Sequence, residues 1–184
     1  MRKLIYSMTM SLDGYITDHD GGIGWTVPDE ELFRFHTEQI QDIGVHLCGR
    51  RLYETMVYWE TAEEGPLSAD EVRFAKLWKV LPKVVFSTTL ESVVGNTTLL
   101  REGVAEEVAK LKEQPGKDIA VGGAGLAGAC MKLGLLDEWE VFVYPVVLGG
   151  GTPFFPTLKD KVDLELVETK TFSSRVVYLH YRRE

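Results

Sequence analysis

The chain has 184 residues, 45% of them apolar, so it is long enough to bury a core and too apolar to be disordered. Acidic residues outnumber basic ones by 28 to 20, and this excess argues against nucleic-acid binding through the overall charge. The longest apolar run, 141–148, is too short to span a bilayer, and Met1-Arg-Lys leads directly into the first predicted strand, so we expect no signal peptide. We expect one cytoplasmic domain, residues 1–184, with no membrane or nucleic-acid partner.

The two cysteines, Cys48 and Cys130, fall inside a predicted strand and a predicted helix, where small apolar residues belong. The chain has no CxxC motif. We therefore expect neither a disulfide framework nor a metal site.

Hydrophobic periodicity and turn residues predict the element order β-α-β-α-α-β-β-α-β-α-β-β-β. The predicted strands are 3–9, 45–48, 83–87, 97–100, 119–121, 140–148, 162–172 and 175–182. Helices are predicted after Pro28, after Gly49, over 69–80, over 104–112 and from Leu126 onward. This order predicts a three-layer α/β/α fold whose mixed, mostly parallel sheet ends in a C-terminal antiparallel hairpin.

Four details of this prediction concern individual elements. The helix after Pro28 has a buried stripe of Leu32, Phe33, His36, Ile40 and Ile43 and is expected to end at Gly44. The stripe of the later helix is Leu126, Cys130, Leu133 and Leu136. Pro145 marks an edge, a bulge or a bend in its strand, because proline cannot donate to a ladder. Residues 11–25, rich in glycine and aspartate, are predicted to form a lid or substrate loop.

Three predicted parallel strands end in residues that suit an anionic nucleotide. Gly122, Gly123 and Gly125 lack side chains, so a ligand can approach the backbone amides that open the next helix. Arg50 and Arg51 follow Gly49 at a helix N-terminus, where positive charge opposes the helix dipole. Ser87, Thr88 and Thr89 offer hydroxyl groups after a third strand. Since ligands of α/β sheets bind beyond the carboxyl ends of strands, the three ends together favour one binding site.

These motifs resemble the dihydrofolate reductase-like superfamily. The second half, with 122–126, 134–138 and 145–153, is especially similar to the reductase domain of the bifunctional riboflavin-biosynthesis deaminase/reductase, and Ser11-Leu-Asp-Gly14 matches its first loop. Segments 25–28, 49–54 and 87–90 look more like dihydrofolate reductase itself. The zinc-deaminase signature of the bifunctional enzyme is absent from the sequence.

The resemblance implies NADPH as the cofactor. It assigns binding of the cofactor pyrophosphate to Gly122, Gly123, Ala124, Gly125 and Leu126. It assigns binding of the adenosine 2′-phosphate to Arg50 or Arg51, which follow Gly49, together with Ser87 and Thr88. It also implies a cis peptide between Gly122 and Gly123, and a homodimer of this chain.

Two acidic residues are candidates for the catalytic role. Glu30 lies where dihydrofolate reductases carry the acid that grips the pterin, although Asp29, Glu30 and Glu31 are equally well explained as acids that complement a helix dipole. Asp13 is a second candidate, or simply forms an Asx turn with Gly14.

Three aromatic residues are candidates for binding a flat substrate. They are Trp25, Phe33 and Tyr53, for which a place in the core is the alternative. The sequence thus predicts an NADPH-dependent oxidoreductase that reduces a small pterin- or aminopyrimidine-type substrate, most like 5-amino-6-(5-phosphoribosylamino)uracil. The alternatives are a dihydrofolate reductase and an NADP(H)-binding module without turnover.

Overall fold

The computed structural model describes residues 1–63 and 65–184, and most of these residues belong to one large sheet or to the helices on its faces. The strands within this part of the chain are β1 (Leu4–Ser11), β2 (Tyr15–Thr17), β3 (Ile43–Gly49), β4 (Lys83–Phe86), β5 (Thr97–Leu100), β6 (Asp118–Gly122), β7 (Glu138–Tyr144), β8 (Thr152–Pro153), β9 (Leu164–Thr171) and β10 (Val177–Arg183). The helices are α1 (Glu30–Gln41), α2 (Arg50–Met56), α3 (Tyr58–Thr61), α4 (Ala69–Val80), α5 (Val104–Glu113) and α6 (Ala124–Lys132), with a 3-10 turn at Gly24–Thr26.

Eight strands form a mixed sheet in the order β5-β4-β3-β6-β1-β7-β10-β9. The six strands from β5 to β7 are parallel, whereas β10 is antiparallel to β7 and β9 is antiparallel to β10. A separate two-stranded sheet pairs β2 with β8. The predicted fold class, a mostly parallel sheet between helical layers with a C-terminal hairpin, is confirmed.

The centre of the sheet is buried on both faces. Leu47 and Cys48 are successive residues of β3, so they point to opposite faces, and both are fully buried. Leu47 packs in the cluster formed with α5 and α6, and Cys48 packs with Phe74 and Trp78 of α4. Because helices cover both faces of the sheet, the space accessible to a ligand lies at the ends of the strands.

Three predicted element ends are wrong. Helix α1 ends at Gln41, and Ile43 and Gly44 belong to β3 instead, where Ile43 pairs with Asp118 of β6. Leu136 is not on α6, because Gly134 turns the chain away at a positive φ of 69°. The strand predicted over 140–148 ends at Tyr144, directly before Pro145, which has no amide hydrogen to continue the ladder.

The predicted loop 11–25 contains more regular structure than expected. Strand β1 continues to Ser11, β2 follows a tight turn, and the 3-10 turn carries Trp25. Strand β2 pairs with β8, so this loop is fixed against residues 152–153. The pairing brings the loop to the end of the sheet where β3 and β6 stop.

Candidate active site

A cleft of about 1230 Å³ opens beyond the carboxyl ends of β3 and β6. These ends are adjacent because Cys48 of β3 pairs with Gly122 of β6 in parallel register. The cleft is larger than the roughly 300–1,000 Å³ typical of small-molecule sites, so it has room for an extended ligand. Its walls come from β1, the loop around β2, α2, the start of α6 and the segment before β8: Met8, Ile16–Gly21, Ile23, Gly49–Leu52, Glu54, Thr55, Gly123–Leu126, Gly151 and Thr152.

The glycine turn between β6 and α6 forms one wall of this cleft. A Cβ on Gly122 would clash with Cδ2 of Leu52 and lie 3.2 Å from Cε1 of His46, so a side chain at this buried position would require Leu52 to shift. Gly125, by contrast, faces open space, with nothing within 4 Å of an added Cβ. The first α6 amide bonded to the glycine turn is that of Ala127, which donates to the carbonyl of Gly123 (3.0 Å). The amides of residues 124–126 precede it and have no carbonyl of α6 to bind.

The cis peptide expected between Gly122 and Gly123 is not present. Every peptide bond in the described part of the chain is trans. The turn is made instead at Gly123, whose φ of 89° and ψ of 122° are open to glycine and strained for other residues. The side-chain-free approach to α6 is therefore kept with a different backbone geometry.

Arg50 and Arg51 both line the cleft, but they differ in their partners. The Arg50 guanidinium is held by Glu54 (Nε to Oε1, 2.8 Å) and donates from Nη1 to the Thr89 hydroxyl (2.8 Å). No hydrogen bond or ion pair holds the Arg51 side chain among residues 1–63 and 65–184, and the side chain is exposed. Arg51 thus presents an unneutralised positive charge at the cleft, and Arg50 presents a charge already oriented by two contacts.

The serine-threonine run after β4 forms a compact turn beside Arg50. The Ser87 hydroxyl accepts hydrogen bonds from the amides of Thr89 (3.2 Å) and Leu90 (3.1 Å), so it stabilises the turn. Thr88 is exposed, and it is Thr89 that contacts Arg50. Neither Ser87 nor Thr88 is among the residues that line the cleft, and their predicted contact with a cofactor phosphate stays a prediction.

Asp13 lies in the turn between β1 and β2, where its carboxylate accepts three hydrogen bonds. The donors are the Ser11 hydroxyl (2.6 Å) and the amides of Leu148 (3.1 Å) and Gly149 (2.7 Å). The Ser11 hydrogen bond, followed by the two amides, lowers the pKa of Asp13 to about 2. A carboxylate held in this way is ionised at neutral pH and is poorly suited to donate a proton.

Glu30 lies in the first turn of α1 and points into solvent. Its side chain is 89% exposed and approaches Arg34 at 3.5 Å. The neighbouring acids are occupied at the same helix end: Asp29 caps the amide of Leu32 (2.9 Å), and Glu31 accepts from the amide and hydroxyl of Ser173. The structure does not bring Glu30 to the cleft wall, and its proposed acid role stays a prediction.

The three aromatic candidates are separated by the fold. Trp25 packs edge-on against Tyr144, with ring centroids 5.7 Å apart. Phe33 packs between Trp59 and Phe74 in the cluster over β3 and β4. Tyr53 is 7% exposed and accepts a hydrogen bond from the Val94 amide at 2.9 Å. None of Trp25, Phe33 and Tyr53 lines the cleft, and each has packing partners that account for it.

Sequence reasoning missed several residues of the cleft wall. His19 lines the cleft, and its ring packs so closely against Gly150 that an added Cβ there would clash with it. Thr17, Glu54 and Thr55 also line the cleft, although the sequence did not mark any of them as a site residue. The one signal that pointed to part of this set was the long glycine- and aspartate-rich loop, which was predicted to cover a site.

The matching family model is the RibD C-terminal domain, which matches residues 2–178. The chain belongs to the RibD C-terminal domain family. The match covers all the strand ends that form the cleft. The resemblance of the sequence to riboflavin-type reductase domains is therefore confirmed at the level of the family.

Two relatives of this RibD C-terminal domain protein come from Bacillus subtilis strain 168. YyaP is 35% identical over 184 aligned residues, which cover 98% of this chain and 94% of the relative. YwjB is 31% identical over 194 aligned residues, which cover 99% and 98%. Both relatives are described as uncharacterised, so they support the family and carry no activity to this chain.

Solved structures support the fold at lower identity. A proposed riboflavin biosynthesis protein of Shewanella sp. PV-4 superposes with a TM-score of 0.77 at 20% identity, covering 100% of this chain and 99% of that one. The deaminase/5-amino-6-(5-phosphoribosylamino)uracil reductase of Thermotoga maritima gives 0.70 at 17% identity, and this chain covers 57% of its length. Dihydrofolate reductase of Enterococcus faecalis, complexed with NADP(H), gives 0.66 at 15% identity, covering 99% and 96%.

Two further observations concern the described residues alone. No helix among them is both long and apolar enough to cross a membrane. No three histidine, cysteine, aspartate or glutamate side chains converge there as metal ligands would.

Burial raises the pKa of the Cys48 thiol to about 12 and that of Cys130 to about 11, so both thiols are unreactive at neutral pH.

Proposed function

We propose that this protein is an NADPH-dependent reductase that delivers a hydride to a C=N or C=O bond of a small pterin- or aminopyrimidine-type substrate. The proposal rests on one observation. The glycine turn at the end of β6 and the two arginines at the end of β3 line the same cleft. Within the family, the substrate most consistent with the resemblance is 5-amino-6-(5-phosphoribosylamino)uracil.

The residues of the cleft fit the phosphate groups of such a cofactor. The amides of residues 124–126 suit a pyrophosphate, since they open a nine-residue helix and Gly125 leaves the approach clear. Arg50 and Arg51 supply the positive charge that a 2′-phosphate requires, in a chain whose formal charge is −8. Arg50 is already oriented toward the turn at Thr89, so it is the better candidate for the 2′-phosphate.

A bound nicotinamide supplies the hydride. The protein's part is to orient the ring, exclude water and hold the substrate. The apolar side chains of Met8, Ile16 and Leu126 line the cleft and suit the exclusion of water. Ile23 and the loop around β2 lie over the same space.

A specific observation favours the NADP(H)-binding module as the second candidate. The two predicted acids do not offer a proton to the cleft, since Glu30 is exposed and Asp13 is held as a carboxylate by three donors. A module that reports the redox state of the cofactor needs no proton donor. Dihydrofolate reduction is the third candidate, from the resemblance of segments 25–28 and 49–54.

Turnover followed as loss of NADPH absorbance at 340 nm separates these candidates. The purified protein is mixed with NADPH and one of two substrates, 5-amino-6-(5-phosphoribosylamino)uracil or dihydrofolate. We expect consumption with the first substrate. Consumption with dihydrofolate alone would replace the proposal by dihydrofolate reduction, and binding of NADPH with no consumption would replace it by the module.

A matched pair of variants at Gly125 controls for contaminating reductases. Both Gly125→Glu and Gly125→Gln fit the free protein, because the position faces open space. The glutamate places negative charge beside the proposed pyrophosphate site and should abolish turnover, whereas the glutamine should retain part of it. Equal turnover in both variants would show that the activity does not pass through this turn.

Association into a homodimer, expected from the resemblance, is part of the same proposal. Sedimentation of the purified chain checks it directly. A species of twice the 20.7 kDa chain mass is the expected result, and a monomer at micromolar concentration would contradict it.

A further inference from the structure

The segment Leu148–Thr152, which we call the glycine segment, connects the end of β7 to β8 and forms part of the cleft. Its distal residues Gly151 and Thr152 line the cleft directly. It contains three consecutive glycines, which have the largest conformational freedom to lose on folding. Its position therefore depends on the contacts that hold it.

The distal half of the glycine segment is fixed by close packing and by a threonine pair. A Cβ on Gly151 would clash with the backbone carbonyl oxygen of Thr17, so no other residue fits there. The Thr17 hydroxyl donates to the Thr152 hydroxyl (2.9 Å) and accepts from the Thr152 amide (3.2 Å). These contacts bring the segment against β2 and its following loop.

The proximal half is held by a single side chain. Oδ2 of Asp13 accepts from the amide of Gly149 (2.7 Å), and Oδ1 accepts from the amide of Leu148 (3.1 Å). Ser11 is fully buried, and its hydroxyl donates to the same carboxylate (2.6 Å) while accepting from the amide of Tyr15 (3.0 Å). The end of β1 is thereby joined to the glycine segment through one carboxylate.

We propose that Asp13 is a positioning residue: its carboxylate joins the end of β1 to the glycine segment and so fixes the wall that Gly151 and Thr152 contribute to the cofactor cleft. This role rests on the proposed function for its effect on the cofactor, but the joint itself exists in the free protein. It replaces the role of proton donor that the sequence suggested for Asp13.

The geometry explains why aspartate is required here. Two backbone amides and a hydroxyl converge on it, and a carboxylate offers acceptors only, on both oxygens. Asparagine keeps one acceptor oxygen, but its amide nitrogen faces a donor, so one of the two backbone contacts is lost. Hydrogen bonds to a charged acceptor are among the stronger ones in proteins.

The test compares Asp13→Asn with Asp160→Asn, an exposed aspartate outside the cleft wall. Backbone hydrogen exchange is measured first, on the protein without nucleotide. In Asp13→Asn, we expect the peptide that covers Leu148 and Gly149 to exchange about ten-fold faster or more, while the β6 peptide keeps its wild-type rate. The control should match the wild type in both peptides.

Kinetic constants then distinguish positioning from proton donation. For a positioning residue, Asp13→Asn should raise the KM and Kd for NADPH by about ten-fold and leave the shape of the kcat pH profile unchanged. Loss of kcat with an unchanged Kd, together with loss of one limb of that profile, would instead identify a proton donor and overturn the proposal. Unchanged exchange at Leu148 and Gly149 would overturn it as well.

Two safeguards keep these outcomes separate. If Asp13→Asn does not fold, exchange in the wild type decides, because amides held by the carboxylate must be protected well beyond those of the exposed residues 159–161. If the wild type binds no NADPH, the proposed function fails, and the exchange result alone still decides whether Asp13 holds the glycine segment.

Discussion

The cofactor-binding half and the substrate-binding half of the predicted site behave differently in the structure. Most residues assigned to the cofactor come together: Gly49, Arg50, Arg51 and 123–126 line one cleft, whereas Gly122, Ser87 and Thr88 are not part of its wall. Residues assigned to catalysis and substrate do not, because Glu30 faces solvent and Trp25, Phe33 and Tyr53 pack elsewhere. Backbone motifs at strand ends are placed by the sheet itself, whereas the surroundings of a single side chain depend on the whole packing of the core.

The first prediction concerns Tyr53, for which we expect a structural role and no part in substrate binding. Because the ring is 7% exposed in the cluster of α4, Tyr53→Ala should lower the free energy of unfolding by about 3–5 kcal/mol. Tyr53→Phe loses only the hydrogen bond from the Val94 amide, about 1 kcal/mol. Urea unfolding measures both. A Tyr53→Phe protein of normal stability that binds substrate poorly would return Tyr53 to the site.

A second prediction concerns the stability of the fold in acid and involves two buried histidines, of which His46 lies beside Gly122. Burial lowers the pKa of both His36 and His46 to about 4, from the usual 6.5. The unfolded chain therefore binds more protons than the folded chain between these values, so stability is full above about pH 6.5 and is lost as the pH falls toward 4. The loss should amount to a few kcal/mol.

Unfolding measured from pH 8 to pH 4 checks this expectation. Glu140, whose pKa is raised by burial, acts in the opposite direction, so the histidines must be isolated by substitution. His36→Gln and His46→Gln should each flatten the curve by about half. Curves parallel to the wild type in both variants would mean that the acid sensitivity arises elsewhere.

The third prediction compares the two arginines within the cofactor half. Arg50→Ala should lower the affinity for NADPH by about ten-fold or more and leave the affinity for NADH nearly unchanged, because only NADPH carries the 2′-phosphate. Arg51→Ala should weaken both cofactors if its free charge serves the pyrophosphate. Arg73→Ala, an exposed arginine of α4, is the matched control. Equal losses of both cofactors in Arg50→Ala would contradict the assignment.

The smallest effect is expected at Glu30. Its side chain is 89% exposed and meets Arg34 at 3.5 Å, a surface contact of little energetic weight. Glu30→Gln should change stability, NADPH affinity and turnover by less than about two-fold. A loss of turnover with intact NADPH binding would show that α1 moves toward the cleft during the reaction, and would restore Glu30 as the acid.

Much of the fold could be predicted from local signals. Helix α4 has the predicted bounds, and Ser68 and Glu71 form a reciprocal capping box that fixes where it starts. The errors lie where pairing with a distant segment overrides the local pattern, as when Ile43 joins Asp118 in the sheet rather than extending α1. Such pairing is invisible to helical periodicity.

The site could be predicted only in part for a related reason. Gly122, Gly123 and Gly125 predict a turn because of their conformational freedom, so the sequence alone located one wall of the cleft. The wall opposite depends on contacts far apart in the chain, such as Asp13 with Gly149 and Gly150 with His19. The cis peptide, carried over from the resemblance, failed because a positive φ at Gly123 makes the same turn.

The most direct test of the central claim is titration of the wild-type protein with NADPH and with NADH, followed by quenching of tryptophan fluorescence. We predict micromolar binding of NADPH and binding of NADH weaker by about ten-fold or more, the difference arising from the arginines at the end of β3. Equal affinity for both nucleotides would contradict the 2′-phosphate site. If neither nucleotide binds, the cleft beyond β3 and β6 is not a nicotinamide site and the proposed reductase function is wrong.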